Sequence, residues 1–199
     1  YRAARFGQAG IQTIADLGCS IGGDALALAA QAEVTGVEWD PLRLAMAQEN
    51  VRVYGHGAQF HPLQADIAEL TPWPVDAVFF DPARRDERGR RFHSVQEYQP
   101  PLSMLDKWLR KAKGAAAKIS PGVDYAEIAD LDAEVEIISV NGDVKEALLW
   151  FGVLRSAAQR RATLLPSGHT LTDDGVNEPV AITTPMAYLY EPDGAVIRA

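Results

Sequence analysis

The stretch Asp16-Leu17-Gly18-Cys19-Ser20-Ile21-Gly22-Gly23-Asp24 stands between a short apolar run, 13–18, and a helix-forming segment, 24–31. Glycines at a strand-to-helix junction let the backbone turn tightly and approach a ligand. The helix behind them presents free N–H groups, and Asp24 near its start suits the helix dipole. Outward from this junction, apolar runs alternate with helical segments. Residues 33–39 form a second β-branched run. Asp40 and Pro41 then read as an N-cap and a first helical residue, opening a helix that runs to about Tyr54 and stops at Gly55. Residues 58–64 are a third strand, and 76–81 a fourth whose apolar centre predicts burial on both faces. A polar loop follows at 83–97, a helix at 100–113, a fifth strand at 115–119 and a short helix at 125–131. Two further strands are expected at 134–140 and 147–154. This alternation predicts an α/β, Rossmann-like, seven-stranded and mostly parallel sheet with helices on both faces. In such sheets ligands bind at the carboxyl ends of strands near the switch in strand order.

The chain has 199 residues, 47% apolar and 23% charged, which predicts one domain with an appendage. No apolar run approaches the ~18 residues of a membrane span, so no membrane partner is expected. The single cysteine, Cys19, excludes an internal disulfide framework and a cysteine-rich zinc site, and no metal is expected. It fits a reducing compartment. The chain begins with Tyr1, the mark of a trimmed fragment, and shows no signal-peptide pattern, so a cytoplasmic location is expected. After residue 158 the character changes. A hairpin is expected over 162–172 around Pro166–Gly168, turns over 173–185, and two short strands over 186–198 around Asp193–Gly194. The expected division is therefore a cofactor-binding domain at 1–157 and a β-rich extension at 158–199.

Two cofactor classes use a glycine-rich strand-to-helix loop. A dinucleotide fold wants G-x-G-x-x-G and an acid about 20 residues on; Gly18, Ser20, Gly23 and Glu38 nearly satisfy it. Asp16 separates the two classes. A carboxylate at the strand's end would repel a pyrophosphate and suits an ammonium or sulfonium. The segment resembles motif I of class I S-adenosylmethionine-dependent methyltransferases, in which an acid precedes G-x-G-x-G. Serine at the middle position, Ser20, departs from that pattern. The resemblance implies the class I methyltransferase fold and S-adenosyl-L-methionine as cofactor, with Asp16, Gly18, Ser20 and Gly22 against it. It implies Glu38 on the ribose hydroxyls, since a carboxylate accepts two hydrogen bonds from a vicinal diol. It implies Asp66, in the segment 64–67, on the adenine amino group, with Trp39 and Ile67 as apolar walls. The stretch 37–55, VEWDPLRLAMAQENVRVYG, is similar to the trimethylguanosine synthase-like group, which methylates the exocyclic N2 of guanine. The likeness covers roughly residues 12–155.

The segment 79–86, FFDPARRD, follows the fourth strand. Class I enzymes that methylate exocyclic amines carry Asp/Asn/Ser-Pro-Pro-aromatic there, so the resemblance places Asp81 and the Pro82 carbonyl as acceptors of the amine N–H groups. Ala83 and Arg84 depart from the pattern, which leaves a catalytically silent cofactor-bound RNA-binding module as an alternative. The run also resembles the Asp-Pro-Pro-Arg of C5 uridine methyltransferases. That chemistry needs a cysteine nucleophile, and Cys19 lies in the glycine loop instead.

Net charge is −8, yet residues 84–113 hold nine basic and four acidic side chains, a local +5 against −13 elsewhere. Arg84, Arg85 and Arg88 are the candidate substrate ligands, because guanidinium forks suit phosphates and phosphate contacts position a nucleic acid. An RNA partner is the expectation, and a small-molecule methyltransferase is the alternative that the overall negative charge suggests. Phe92, His93 and Tyr98 offer stacking faces, while Trp108 and Trp150 fall in core patterns. Residues 188–199 and 141–152 resemble the THUMP-like group that follows methyltransferase domains in some bacterial proteins, which adds an expectation of RNA binding by analogy.

Overall fold

The computed structural model describes residues 1–85, 88–90, 92, 94–173, 184 and 187–199. The first five strands are β1 (Thr13–Leu17), β2 (Glu33–Glu38), β3 (Phe60–Gln64), β4 (Ala77–Phe80) and β5 (Gly114–Ile119). They are followed by β6 (Ala133–Val140), β7 (Asp143–Gly152), β8 (Arg160–Leu165) and β9 (His169–Thr172). All join one sheet in the order β3-β2-β1-β4-β5-β7-β6-β8-β9. The first five pair in parallel, β7 is antiparallel to both β5 and β6, and β8 runs parallel to β6. The Rossmann-like, mostly parallel α/β architecture read from the sequence is therefore present. The expected seven strands become nine because the 162–172 hairpin, β8 and β9, continues the same sheet.

Helices α1 (Arg2–Gln8), α2 (Gly23–Ala29), α3 (Pro41–Val53), α4 (Leu105–Leu109) and α5 (Gly194–Arg198) accompany the strands. Asp40 caps α3 as expected, accepting from the Leu42 and Arg43 N–H groups at 2.8 and 3.1 Å with Pro41 in the first turn. Alternate strand residues feed two cores. Leu17, Phe80, Ile119 and Leu149 point to one together with Trp108. Ile14, Phe79 and Trp150 point to the other with Leu28 and Val51. Helix α1 had no sequence expectation. Its Phe6 is fully buried, edge-on to Phe79 and Trp150.

Three expectations are corrected. The helix over 100–113 shrinks to α4, preceded by a single 3-10 turn at Leu102–Met104. Pro100 and Pro101 hold the chain extended before it, and the Lys113 N–H is taken by Asp76 O at 2.8 Å as the chain enters β5. The short helix at 125–131 is a 3-10 turn, Tyr125–Glu127. Of the two strands expected over 186–198, residues 187–193 carry no regular element and 194–198 form α5, because Asp193 accepts from the Ala195 N–H at 2.8 Å and acts as a helix cap, not a hairpin corner. Most of the turn-rich segment 173–185 lies outside the described residues.

Two buried glutamates brace the β6–β8 seam. Glu134 accepts from Arg161 Nε at 2.7 Å and the Ser156 N–H at 2.7 Å, and pairs with Arg5. Glu136 accepts from Trp150 Nε1 at 2.8 Å, Tyr1 Oη at 2.7 Å and Thr163. Burial alone would raise the Glu134 carboxyl, but its bonds to Arg5, Arg161 and Ser156 outweigh that and hold it below the ordinary range.

Gly152, at the end of β7, adopts φ +59°, and a Cβ there would stand 2.2 Å from the Lys113 carbonyl oxygen. Gly152→Ala is expected to destabilise the domain by at least about 2 kcal/mol through backbone strain and overpacking. A fall in Tm of about 4 °C or more in thermal unfolding checks this.

Candidate functional site

The register of four parallel strands aligns the site. Val37 of β2, Leu17 of β1, Phe80 of β4 and Ala117 of β5 are successive partners across the sheet. The next residue of each chain is therefore Glu38, Gly18, Asp81 and Lys118, a row along the carboxyl edge. Connections leave β1 and β4 toward opposite sides of the sheet, so this row sits at the topological switch point where ligands bind.

The glycine loop is pinned to its neighbours through the backbone. The Gly18 and Cys19 N–H groups both donate to Val37 O at 3.0 Å. Glu38 is buried, and its carboxylate accepts from the Ser20 N–H at 3.1 Å and the Asp40 N–H at 3.0 Å. Gly18 has φ +89°, and a Cβ there would meet the Asp81 carbonyl oxygen at 2.9 Å. Ser20 holds a left-handed φ of +49°, so the departure from glycine is accommodated at a strained position. Gly22 caps α2 and faces Ala47 of α3, outside the cleft lining.

A cleft of about 1040 Å³ opens above the row. At one end it brings together Gly18, Ser20, Glu38, Trp39, Asp66 and Ile67. Trp39 is 68% exposed, and Asp66 closes its own turn by accepting from the Ala68 N–H at 2.8 Å. Asp81, Pro82, Arg84 and Arg85 line its middle, and Phe92, Pro121, Val144 and Lys145 continue the wall. Asp16 lies under the loop beside a smaller adjoining pocket, shared with Gly18, Ser20, Asp81 and Lys118. Arg88 is exposed and outside the lining, and Arg91 and His93 lie outside the described residues. Tyr98 is not a free stacking face. It is buried, with its hydroxyl oxygen accepting from the Ser120 N–H at 3.0 Å.

The loop after β4 is built as a closed excursion. Ala83 and Gln99 exchange two backbone hydrogen bonds at its base, at 2.9 and 3.0 Å. Arg84 Nη1 donates to Ile119 O at 3.2 Å, which holds its guanidinium over the end of β5, and Arg85 Nη1 donates to Gly89 O at 3.1 Å. Glu127 accepts from Ser94 Oγ at 2.8 Å and the Val95 N–H at 2.9 Å.

Charge is concentrated beneath the cleft. Asp16 is buried and neither carboxylate oxygen has a hydrogen-bond partner. Burial first, then neighbouring Asp24 and Asp81, push its carboxyl well above the ordinary range. Lys118 was missed from the sequence. Its ammonium lies 2.7 Å from Asp81 Oδ2 and 3.2 Å from Asp24 Oδ2. Burial would lower the Lys118 ammonium, but Asp81 and Asp24 outweigh it and raise it. The available signal was one lysine inside the otherwise apolar run of β5. Burial also pushes the Cys19 thiol up, so it stays protonated. No cluster of three or more His, Cys, Asp or Glu fit for a metal occurs among the described residues, and none of their helices is long and apolar enough to cross a membrane.

The sequence profile of RNA cap guanine-N2 methyltransferases matches residues 11–120, which span β1 to β5 and every residue of the row. The chain belongs to that family. An uncharacterized S-adenosylmethionine-dependent methyltransferase of Mycobacterium tuberculosis is 38% identical over 194 residues, covering 94% of this chain and 52% of the mycobacterial one. The chain thus spans about half the length of such relatives. Among solved structures, a Porphyromonas gingivalis protein assigned as a methyltransferase superposes with a TM-score of 0.68 at 18% identity, over 98% of this chain and 53% of that one. An rRNA methylase from Streptococcus thermophilus superposes with a TM-score of 0.54 at 13% identity, over 76% and 93%. These likenesses establish the fold.

The buried Asp16 carries a stability prediction. Its raised carboxyl binds protons more tightly in the fold than in the unfolded chain. The fold therefore loses stability as pH rises from the ordinary carboxylate range toward the raised value. Asp16→Asn removes that loss. Denaturant unfolding of the ligand-free chain at about pH 4, near the ordinary Asp value, and at about pH 8, well above it, is expected to show the variant gaining on the parent at the higher pH. An equal difference at both values would contradict the assignment.

Proposed function

We propose that this domain transfers a methyl group from S-adenosyl-L-methionine to an exocyclic amine of an RNA base, guanine N2 being the amine the family description favours. The observation that carries the reading is Asp16, buried without a partner beneath a glycine loop that touches Asp81 through its backbone. A buried carboxylate left without a hydrogen bond is costly, and a cationic ligand would remove that cost.

The residues present fit that cofactor. Asp16, at the end of β1, would face its ammonium. Glu38 uses one lone pair of each oxygen on the Ser20 and Asp40 N–H groups and retains others for ribose hydroxyls. Asp66 would take the adenine amino group, with Ile67 and Trp39 against the ring. When bound, S-adenosyl-L-methionine supplies an activated methyl group on sulfonium sulfur.

Asp81 and the Pro82 carbonyl then orient the acceptor. The lone pair of a base amine is delocalised into the ring, so the amine is a poor nucleophile. Accepting its two N–H groups turns the nitrogen toward the methyl carbon, and such positioning can supply several of the ~7–11 kcal/mol available from proximity. Ala83 leaves the rim open where the family pattern has proline. Arg84 and Arg85 form a basic rim for RNA phosphates, with Phe92 on the adjoining wall, and the exposed Arg88 beyond the rim would extend it along the RNA.

Calorimetric titration with S-adenosylhomocysteine is expected to show micromolar binding, with none for a nicotinamide dinucleotide. Asp81→Ala should lower the rate of label transfer to RNA about 100-fold while leaving the affinity for S-adenosylhomocysteine, whose sulfur is uncharged, nearly unchanged. A rate within twofold of the parent would remove Asp81 from the reaction. The triple variant Arg84→Ala/Arg85→Ala/Arg88→Ala should weaken RNA binding and reduce its salt slope by about one unit per lost phosphate contact.

A further inference from the structure

Lys118 is an unusual residue for its position. It stands in β5, an inner strand whose other residues are glycine, alanine and isoleucine, and its side chain is 14% exposed. Withdrawing an ammonium from water is costly unless it is paired. Lys118 is paired twice, with Asp24 of α2 and Asp81. Asp24 does not depend on it, because Arg2 of α1 also grips that carboxylate, both as an ion pair and through Nε at 3.1 Å. The partner for which Lys118 is distinctive is Asp81. Its ammonium takes Oδ2 at 2.7 Å, and Oδ1 has no hydrogen bond among the described residues.

We infer that Lys118 is a positioning residue for methyl transfer: it fixes the Asp81 carboxylate by Oδ2 and turns Oδ1 toward the acceptor amine. This rests on the reading given under Proposed function. In the transfer, the amine nitrogen forms the new carbon–nitrogen bond as the methyl–sulfur bond breaks, and that bond's electron pair stays on sulfur. The nitrogen then sheds one N–H proton, received at Asp81 Oδ1 and passed to water. Lys118 stays an ammonium throughout. Its second effect is on charge. Glu38 and Asp81 line the cleft, Asp16, Asp24 and Asp81 line the smaller pocket beside it, and Lys118 is the described cation in contact with Asp81. Without it the floor is one charge more negative. That change favours a sulfonium over the neutral thioether left after transfer, whereas a loss of packing would weaken both alike.

Lys118→Met and Lys118→Gln test the inference in the 199-residue chain. Each variant is expected to lower kcat for RNA methylation about 100-fold, the scale of a misplaced reacting group, with KM for RNA within about threefold. Lys118→Arg should recover about tenfold of that loss by restoring a cation near Oδ2. By calorimetry, Lys118→Met should shift the affinity ratio by about threefold or more in favour of S-adenosylmethionine over S-adenosylhomocysteine. A folded Lys118→Met chain with kcat within twofold of the parent, or with an unchanged affinity ratio, overturns the inference. Loss of folding in both the Met and Gln variants also overturns it, since Lys118 would then be a structural cation. The parent chain separates the two levels: no label transfer from the parent to any RNA refutes the methylation reading itself, while an active parent with indifferent variants refutes only the role of Lys118.

Discussion

The contact between Gly18 and the Asp81 carbonyl sets the geometry of everything around it. The two residues are the first to leave β1 and β4, which pair in parallel with Leu17 opposite Phe80. The Asp81 N–H donates to Leu17 O at 3.2 Å, so the second chain is still tied to the first as both emerge. A side chain at position 18 would force them apart by filling the 2.9 Å gap. Because the sheet keeps one register across β2, β1, β4 and β5, that junction also fixes the level of Glu38 and Lys118. A loop that receives one ligand and a loop that receives another thus share a wall made of backbone. Such a wall cannot change rotamer.

Two opposed charge fields meet over this wall. The floor is acidic: Asp16 buried and unpartnered, Glu38 buried and bonded to backbone, Asp24 and Asp81 sharing one ammonium. The rim carries Arg84 and Arg85, with Arg88 beyond it. A net −8 chain does not attract a polyanion as a whole. On the proposed reading this arrangement sorts two ligands of opposite sign. A compact cation is drawn below the loop and a phosphate chain is held at the mouth. Arg84 belongs to both levels, since its guanidinium is anchored on Ile119 O at the end of the same strand that carries Lys118. It is more constrained than a solvated loop arginine and can hold a ligand with less loss of side-chain freedom.

What the sequence made legible was local. The Asp40-Pro41 helix start, the glycine loop and the apolar run of β4 each carry their signal within a few residues, and each stands where it was expected. The misreadings share a cause. Asp193-Gly194 carries the chemistry of a hairpin corner or of a helix cap, and packing of Ala195 into the core selects the cap. The 100–113 segment has helical composition, but the chain is held at both ends, by Pro100 and Pro101 and by the Lys113–Asp76 bond. Tyr98 looked like a stacking ring because nothing in its neighbourhood shows that Ser120 waits for its hydroxyl. Lys118 became visible only once the register placed β5 beside β4, for its partners lie 37 and 94 positions away in the chain.

The C-terminal part of the chain reaches the cleft through a short chain of contacts. Val144 and Lys145, at the start of β7, line the cleft wall. Gly194 opens α5 directly against Val144, where a Cβ would meet Val144 Cγ2 at 2.9 Å. The far end of α5 is held by Tyr125 Oη donating to Arg198 O at 2.8 Å, and the Tyr125 ring lies under the Arg160 guanidinium at 4.3 Å. Arg160 begins β8, which adds to the sheet beyond β6. The wall on the far side of the cleft from the glycine loop is therefore braced by residues 107 to 180 positions downstream of the loop (Tyr125 to Arg198, against Gly18). Displacing α5 would loosen Val144 without touching the row from Glu38 to Lys118. The two sides of the cleft are thus stabilised by separate parts of the chain: the loop side by parallel strand register, and the opposite side by docking of the last helix.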